Sequence, residues 1–429
     1  MSDPISITGG LDIGNGYVKG ALRGPANRPD AKGDRKSDKI DTPSGVALVT
    51  SPADLPNPDS EALTVLTGDI FNELDASFAS PLIDSSYRHL FGKRGLQAQA
   101  SRLEEFDVTR DISKAEQELT KVFALGLFAA KGLRDYVIAN GVLPQEQLTV
   151  SARVALALPI DEYRDHRVSY ANSLKEGTHY VTIHNFETPV IVKVSFVHVV
   201  VVAEGSAAQF MISEGGPKLV GPMLKNANEV TKALGMGISL DGLKAEDVHG
   251  ARNTVGIDIG EGTMNNPVYS NGKFNGDVSR TFKTGYGQAL TKSMDHLSRA
   301  GVRFKSRKKL AEYLMTEPSP MKAAEYDRVK AIVRREEELL CDQLVEEFAR
   351  VFDDVRYDTE VAYVFGGGAG PLREILHPLL VALVGDAFPV LYLDSSYSRH
   401  LNREGLFLAA TMVEDAEEKA ALAASSKAD

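Results

Sequence analysis

The sequence predicts an α/β fold that is built twice. The chain has 429 residues, which is more than one ordinary hydrophobic core accommodates and suits two domains. Segments with strand character alternate with segments of helical character, as in α/β proteins. The stretch DIGNG from Asp12 to Gly16 returns as DIGEG from Asp258 to Gly262, and each copy lies between an apolar strand and a second strand. We therefore expect one half from the amino terminus and another from residue 254 onward.

The first half is predicted to form a domain over 1–204. It begins with a hairpin, in which the strands ISITGGLDI and GYVKGAL flank the first repeat. A polar stretch from Arg23 to Thr42, rich in Gly and Pro, is expected to be a mobile loop and to begin an insertion over about 23–110. The other predicted elements are strands at 45–49 and 64–66, an amphipathic helix from Lys114 to Asn140 that Gly141 ends, a strand at 148–159, a helix at 162–173, and strands at 179–184 and 189–203.

The second half is predicted to follow a set of connecting helices over 205–253. These helices are rich in Gly and Lys, and the second domain then extends over 254–413. Its predicted elements are the second hairpin, helices at 286–299, 306–314 and 328–355, the strand EVAYVF, a glycine-rich turn, a helix, the strand PVLYLD, and a last helix at 400–413. The tail over 414–429 is acidic and then rich in Ala and Ser, so we expect it to be flexible.

The composition narrows the class of protein. Acidic residues outnumber Lys and Arg by 59 to 48, for a net charge of −11, so direct binding of nucleic acid through a large basic face is not expected. The single cysteine, Cys341, excludes an intramolecular disulfide and cysteine-ligated zinc, and it fits a reducing cytoplasm. The most apolar run, Val190 to Ala203, is shorter than the roughly 20 residues of a spanning helix, so no membrane segment is predicted. The start MSDPISITGG lacks the basic and apolar regions of an export signal.

The two repeats have the residue types of phosphate-binding turns. Glycines let backbone N–H groups approach an anion, and the preceding Asp12 or Asp258 can hold a divalent cation through water. Two such loops facing each other would hold a polyphosphate and its Mg²⁺ from both sides. The alternative is a pair of structural glycine turns in which Asp serves as a turn former.

Lys19 and a third glycine cluster extend this prediction. Lys19 lies on the second strand of the first hairpin, from which its ammonium group can reach a β- or γ-phosphate; an ordinary surface lysine is the alternative. The turn from Gly366 to Gly370 leaves a strand and enters a helix that Pro371 can start. A helix N-terminus at such a turn is suited to an anion or a nucleotide.

Three other motifs are rejected. The stretch from Gly14 to Gly20 nearly matches a dinucleotide fingerprint, but a strand occupies the place of the required helix. The stretch from Gly287 to Ser293 lacks the glycine that precedes the lysine of a P-loop. The nine histidines show no H-x-x-x-H spacing, so no zinc site is indicated.

The order of these motifs resembles the superfamily of actin, Hsp70 chaperones and sugar kinases. Two Asp-x-Gly-x-Gly hairpins and a later glycine-rich turn carry this resemblance from Leu11 to Val413. It implies an actin-like ATPase fold, in which two ribonuclease-H-like domains enclose Mg²⁺ and ATP in a nucleotide cleft, with GTP as a further candidate. The implied residues are phosphate loop 1 (Asp12, Gly14, Asn15, Gly16, Lys19), phosphate loop 2 (Asp258, Gly260, Glu261, Gly262, Thr263) and an adenosine loop (Gly366, Gly367, Gly368), with Asp12 and Asp258 catalytic and bound to Mg²⁺ through water.

Further stretches resemble the ParM-type bacterial actins. LALPIDEYRDHR, followed by a strand that ends in VVAEGSAAQF, is similar to the ParM pattern that casts Glu204 as the group orienting the attacking water. A carboxylate that caps the following helix is the alternative. AIVRREEELLC is similar to the actin helix whose glutamate touches the ribose, which points to Glu338, and LNREGLF from Leu401 resembles the ParM ending. ParM relatives usually carry an Asp near Asn265, which leaves the role of that side chain open.

The resemblance implies a filament-forming ATPase that moves or segregates plasmid or phage DNA. The implied partners are further copies of the chain and a DNA-binding adaptor protein, because the acidic balance disfavours direct contact with DNA. The alternative is a kinase that phosphorylates a sugar or a carboxylate, although no sugar-kinase signature is found and Glu rather than Asp ends the relevant strand. An Hsp70-like chaperone is disfavoured because too few residues follow Val413 for a peptide-binding domain.

Overall fold

The structure, a computed structural model, describes residues 3–27, 36–51, 57–58, 68–98, 102–106, 112–236 and 240–425. The described residues form two compact units. Unit 1 takes those up to Leu158, those from Glu162 to Val202, and those from Arg403 onward; unit 2 takes Pro159–Asp161 and Ala203–Asn402.

Unit 1 is built on a mixed sheet of ten strands. The elements up to residue 203 are β1 (Ile5–Ile13), β2 (Tyr17–Arg23), β3 (Asp38–Pro43), β4 (Val46–Val49), α1 (Ile70–Glu73), β5 (Asp75–Ala79), β6 (Arg88–Phe91), α2 (Gly92–Gln97), β7 (Arg102–Glu104), α3 (Glu118–Asn140), β8 (Leu148–Leu158), α4 (Ile160–Lys175), β9 (His179–Ile183) and β10 (Val190–Ala203). The strand order is β3-β2-β1-β8-β10-β9-β5-β6-β4-β7, with β1 antiparallel to β2 and parallel to β8.

The core of unit 1 lies between this sheet and α3. Apolar side chains of α3, including Phe123 and Phe128, are fully buried together with Leu11 of β1 and Val150 of β8. As the sequence predicts, Gly141 ends α3 in the left-handed conformation, with φ of 73° and its N–H bonded to the carbonyl of Val137 at 2.8 Å.

Part of the stretch predicted to be a mobile loop is a strand. β3 pairs with β2 from Leu22 opposite Asp38 to Tyr17 opposite Pro43. The prediction was wrong here because the alternation of Ile40 and Thr42, both buried, supplies a strand face that a mostly polar stretch conceals. Residues 28–35 of this stretch, and the strand predicted at Thr64 to Leu66, lie outside the described residues.

Unit 2 is built on a sheet of seven strands. The elements after residue 203 are α5 (Ser206–Ala233), α6 (Ala245–Gly250), β11 (Thr254–Ile259), β12 (Met264–Asn266), β13 (Val268–Ser270), β14 (Lys273–Phe274), β15 (Arg280–Phe282), α7 (Tyr286–Arg299), α8 (Arg307–Met315), a 3-10 turn (Pro320–Lys322), α9 (Ala323–Val355), β16 (Val361–Phe365), α10 (Ala369–Val384), β17 (Val390–Tyr392), α11 (Ser395–Ser398) and α12 (Leu401–Ser425). The path β14-β13-β11-β12-β15 is extended by β16, which pairs with β11 and β17. Among the described helices, none is both long enough and apolar enough to cross a bilayer.

The segment over 205–253 differs from its prediction as a connection between halves. It belongs to unit 2, because Ala208 and Ile212 of α5 share a buried apolar cluster with Tyr363 of β16 and Leu391 of β17. α5 contains a kink at Gly216, whose φ of 60° is left-handed. The segment is therefore part of the second core.

The tail over 414–429 differs from its prediction as well. α12 continues to Ser425 instead of ending at Val413, and residues 426–429 lie outside the described residues. Glu414 forms an ion pair with Arg23 of β2, and the carboxylate of Glu417 lies 2.7 Å from Nε of Arg153 in β8. These pairs fix acidic residues of the helix to unit 1, which composition alone does not reveal.

Candidate functional site

The first repeat forms the tip of the β1–β2 hairpin, here called hairpin 1 (Ile5–Arg23). The N–H of Gly14 donates to the carbonyl of Tyr17 at 3.0 Å and closes the turn. In the antiparallel register Asp12 lies directly opposite Lys19, and such partners share one face of a sheet. Asn15 and Gly16 complete the half-buried tip. Hairpin 1 thus brings together the residues predicted for phosphate loop 1.

Ser44, which the sequence analysis did not single out, holds this tip in place. It lies between β3 and β4, and its N–H donates to the carbonyl of Gly16 at 3.1 Å. Its hydroxyl donates to the carbonyl of Gly14. The conformation of the tip therefore depends on a residue of the segment that connects β3 to β4.

The second repeat forms the tip of the β11–β12 hairpin, here called hairpin 2 (Thr254–Asn266). The N–H of Gly260 donates to the carbonyl of Thr263 at 2.8 Å, which is the same closure as in hairpin 1. Asp258 lies directly opposite Asn265 in the register, as Asp12 lies opposite Lys19. Both Asp258 and Asn265 are buried, with 6% and 2% of their surfaces exposed. The sequence repeat is therefore also a repeat of local geometry.

The turn from Gly366 to Gly370 packs against hairpin 2. β16 runs parallel to β11, and the N–H of Gly368 donates to the carbonyl of Ile259 at 2.8 Å. Gly366 has a φ of 98°, and a Cβ atom there would lie 2.5 Å from Oδ1 of Asp258. Only glycine fits this position, since both the left-handed backbone and the space exclude a side chain. The residues predicted for phosphate loop 2 and for the adenosine loop are thus adjacent within unit 2.

Glu204 lies just after β10 and contacts hairpin 2. Nδ2 of Asn265 donates to Oε2 of Glu204 at 2.9 Å. The next residue, Gly205, is the N-cap of α5 and has a φ of 77°; a Cβ atom there would lie 3.1 Å from Cβ of Asp258. The glycine therefore allows the chain at Glu204 and Gly205 to approach Asp258 of β11 closely. This approach places the predicted catalytic carboxylates Glu204 and Asp258 in one region of unit 2.

Asn402, at the start of α12, contacts the second of these carboxylates. Its Nδ2 donates to Oδ2 of Asp258 at 2.8 Å, and its Oδ1 accepts from the N–H of Ala208 at 3.1 Å. The second bond satisfies an N–H of the first turn of α5, which no intrahelical carbonyl can reach. In the sequence, the stretch around Leu401 carries only a resemblance, and no role is predicted for this side chain.

Within the part of the chain that the structure describes, Glu338 forms no hydrogen bond or ion pair with hairpin 2. Its side chain is 58% exposed on α9 and pairs with Arg334. Its neighbour Glu337 accepts a hydrogen bond from the hydroxyl of Tyr286 at 2.9 Å, and the N–H of Tyr286 donates to the carbonyl of Gly260 at 3.0 Å. Burial raises the pKa of the Glu337 carboxyl and of the Tyr286 hydroxyl. Of the three consecutive glutamates, the structure therefore links Glu337 to the predicted nucleotide residues.

Glu261, at the tip of hairpin 2, is held by its side chain and by its backbone. Its Oε1 lies 3.0 Å from Nε of Arg307, the first residue of α8. Its carbonyl accepts from the N–H of Gly287 at 2.8 Å. The carboxylate is thus engaged by an arginine that the sequence analysis did not identify.

The residue types at these turns fit a nucleoside triphosphate with Mg²⁺. The glycine tips allow close approach of backbone N–H groups to an anion, and α10 opens at the N-cap Gly368. Among the described residues, no group of three His, Cys, Asp or Glu side chains could hold a metal by itself. A Mg²⁺ at Asp12 or Asp258 would therefore draw further ligands from phosphate and water, as Mg²⁺ commonly does.

Comparisons of sequence identify no relative. No family model matches the chain, and no curated protein matches it.

Comparisons of structure identify the fold. An archaeal actin homologue is similar over 95% of this chain and 99% of its own, with 13% identity and a TM-score of 0.56. ParM of Bacillus thuringiensis with ADP is similar over 95% and 99%, with 16% identity and a TM-score of 0.54, and it has also been solved with AMPPNP and with ATP. A non-polymerisable quadruple mutant of pCBH ParM is similar over 96% and 100%, with 13% identity and a TM-score of 0.56. The chain thus has the actin-like α/β fold, which confirms the predicted fold class.

Proposed function

We propose that this actin-fold protein binds ATP with Mg²⁺ and hydrolyses it. The observation that carries the proposal is the repeat of hairpin 1 in hairpin 2, with the same sequence signature, the same closing hydrogen bond and an aspartate at the same register position. The similarity to ParM structures that contain ADP, AMPPNP and ATP supports the choice of nucleotide. GTP is a second candidate nucleotide.

In this proposal each hairpin contributes backbone donors and one carboxylate. N–H groups at the tips of both hairpins bind phosphate oxygens, and the ammonium group of Lys19 neutralises phosphate charge. Asp12 and Asp258 hold the cation through water, and bound Mg²⁺ supplies charge stabilisation for phosphoryl transfer. The Glu204 carboxylate orients the attacking water and accepts its proton.

We further propose that the nucleotide state controls assembly of the chain into filaments that move or segregate DNA. The similarity to ParM proteins supports this function, and the net charge of −11 favours a separate DNA-binding adaptor over direct contact. Self-repulsion of such an acidic chain predicts that assembly needs Mg²⁺ or salt for screening.

The test combines light scattering, sedimentation and electron microscopy with a phosphate-release assay. We expect filaments with ATP or AMPPNP that disperse as ATP is consumed. Glu204→Gln should reduce hydrolysis by on the order of 10²-fold or more, the usual contribution of a general base, while ATP still binds and filaments last longer. The matched control is Glu214→Gln, which neutralises an exposed glutamate on α5 and should hydrolyse ATP at the wild-type rate.

Two results would contradict the proposal. A wild-type protein that neither binds nor hydrolyses ATP or GTP would refute the nucleotide function. A protein that stays monomeric at high concentration and phosphorylates an added sugar or carboxylate would instead be a metabolic kinase.

A further inference from the structure

A chain of hydrogen bonds within unit 2 ends on the Glu204 carboxylate. The N–H of Ile160 lies 2.8 Å from Oγ1 of Thr281, and that hydroxyl lies 2.7 Å from Oδ1 of Asn265. Nδ2 of Asn265 lies 2.9 Å from Oε2 of Glu204 and 3.3 Å from Oγ1 of Thr263. Thr281 is on β15, which pairs with β12 so that Asn265 lies opposite Thr281.

The donors and acceptors of this chain allow one direction. The backbone N–H of Ile160 can only donate, so the oxygen of Thr281 accepts from it and the hydroxyl hydrogen stays available to Oδ1 of Asn265. An ionised carboxylate can only accept, so the amide must present its NH₂ group to Glu204. The carboxylate end therefore fixes the orientation of the Asn265 amide, and the Thr281 hydroxyl then donates to its Oδ1.

The same arrangement recurs at the neighbouring carboxylate. Asp258 accepts from Nδ2 of Asn402, and Oδ1 of Asn402 accepts from the N–H of Ala208. On β11, the titratable Asp258 lies next to the segment of Glu204 and Gly205. β12 and the start of α12 present neutral amides to the two carboxylates, Asn265 to Glu204 and Asn402 to Asp258. Each carboxylate is thus held by the NH₂ group of an asparagine whose Oδ1 accepts from another group, the Thr281 hydroxyl for Asn265 and the N–H of Ala208 for Asn402.

We propose that Asn265 is a positioning residue for the hydrolytic step, which holds Glu204 in place while Thr281 sets the direction of the amide. This inference rests on the proposed function, because it assigns Asn265 and Thr281 a part in the work given to Glu204. Asn265 touches Glu204 and acts through it. A neutral donor suits this position, since a carboxylate at the same distance would repel the Glu204 carboxylate instead of holding it.

The central test is Asn265→Asp, which preserves the size of the side chain and replaces the NH₂ donor by a carboxylate oxygen. With Mg²⁺ and ATP we expect kcat to fall by on the order of tenfold, which is less than the loss expected on removal of the general base itself, with KM changed far less. The acidic limb of the kcat profile should move upward by on the order of one pH unit, because two adjacent carboxylates raise each other's proton affinity. A purely structural role of Asn265 would not move this limb.

Variants of Thr281 test the direction of the chain. Thr281→Val removes the hydroxyl at nearly constant volume, so we expect kcat to fall by roughly three- to tenfold because the amide is no longer oriented. Thr281→Ser keeps the hydroxyl and should retain most of the wild-type kcat. The matched control is Thr284→Val, whose buried hydroxyl donates to Glu347 instead, and it should keep the wild-type kcat.

A double-mutant cycle decides whether Asn265 acts through Glu204. In the Glu204→Gln background, Asn265→Ala should cause no further loss of kcat, since the group that it positions is already absent. Losses that multiply, or an Asn265→Asp protein with wild-type kcat and an unmoved acidic limb, would overturn the inference while leaving ATP hydrolysis established. If Asn265→Asp does not fold, the Thr281 variants and the cycle still decide the question. A wild-type chain without ATPase activity would instead refute the proposed function itself.

Discussion

Hairpins 1 and 2 share their sequence signature and their closing hydrogen bond, yet they differ in the residue that lies opposite the aspartate. Asp12 faces Lys19 across hairpin 1, whereas Asp258 faces Asn265 across hairpin 2. Under the proposed function, a cation next to the first aspartate suits the binding of phosphate charge. A neutral amide next to the second suits the holding of a carboxylate. The repeated turn provides a scaffold, and the cross-strand residue determines its chemistry.

The two hairpins also differ in what holds their tips. In hairpin 1, Ser44 bonds the carbonyls of Gly14 and Gly16. In hairpin 2, the carbonyls of three successive residues accept from two other segments of the unit: Ile259 from Gly368, and Gly260 and Glu261 from the adjacent Tyr286 and Gly287. Hairpin 2 is therefore embedded in the core of its unit, and we expect changes there to affect stability and nucleotide binding together.

The largest difference is expected between the losses of unfolding free energy in Asp258→Asn and in Asp12→Asn. Both should weaken Mg²⁺-dependent ATP binding by at least about tenfold, since each removes a carboxylate assigned to the cation. Asp258 is 6% exposed and accepts from Asn402, so its replacement should also cost about 2 kcal/mol of unfolding free energy, as expected for a hydrogen bond to a buried charge. Calorimetric titration and urea unfolding measure the two effects separately.

The half-buried Asp12 serves as the internal control for this experiment. Asp12→Asn should change the unfolding free energy less than Asp258→Asn does. Equal losses of stability would show that the burial of hairpin 2 does not distinguish the two sites. Unchanged ATP affinity in both variants would argue against the assignment of either aspartate to Mg²⁺.

A second difference is expected in the cost in unfolding free energy of replacing the first glycine of each tip, Gly14 in hairpin 1 and Gly260 in hairpin 2. A Cβ atom on Gly14 would lie 2.8 Å from the carbonyl oxygen of Tyr17, whereas one on Gly260 would lie 3.3 Å from that of Thr263. Gly14→Ala should therefore cost about 1–3 kcal/mol, and Gly260→Ala less than about 1 kcal/mol, because the closer contact forces the larger movement of the backbone. Urea unfolding of both variants measures the two costs. A larger cost for Gly260→Ala than for Gly14→Ala would contradict the prediction from the Cβ distances.

The sequence predicted what is local in this comparison and missed what is distant. A strand, a glycine turn and a second strand follow one another along the chain, so both hairpins and the turn at Gly366 were predicted correctly. Asn402 meets Asp258 across 144 positions of sequence, and no periodicity or turn signal connects two such residues. Only the resemblance around Leu401 pointed to that segment.

The choice among three consecutive glutamates shows the same limit. Helical geometry requires that Glu336, Glu337 and Glu338 point in different directions, but it does not determine which of them contacts a partner. The packing of α9 against α7 decides which glutamate finds a partner, because the hydroxyl of Tyr286 at the start of α7 donates to the Glu337 carboxylate. A pattern within one helix cannot contain this information.

A third prediction concerns the ion pair that holds the tip of hairpin 2. Arg307→Met removes the partner of Glu261, and both side chains are partly buried, at 19% and 25% exposed. We expect a loss of about 1 kcal/mol or less and a fall in ATP affinity of less than about tenfold. The difference from wild type should shrink in about 1 M salt, because screening weakens the pair. Lys305→Met removes a nearby exposed charge of the same sign and should leave ATP affinity at the wild-type value.

The smallest effect is expected from Ser44→Ala in hairpin 1. The variant loses the hydroxyl that donates to the carbonyl of Gly14 but keeps the backbone bond to Gly16, so the cost should be about 1 kcal/mol or less. ATP affinity should fall by a few-fold, because the tip carries the phosphate-binding N–H groups in the proposed function. Ser173→Ala removes a similar hydroxyl bond within α4 and should leave affinity unchanged. If both variants bind ATP equally well, the DIG-x-G turn of hairpin 1 keeps its shape without the Ser44 hydroxyl.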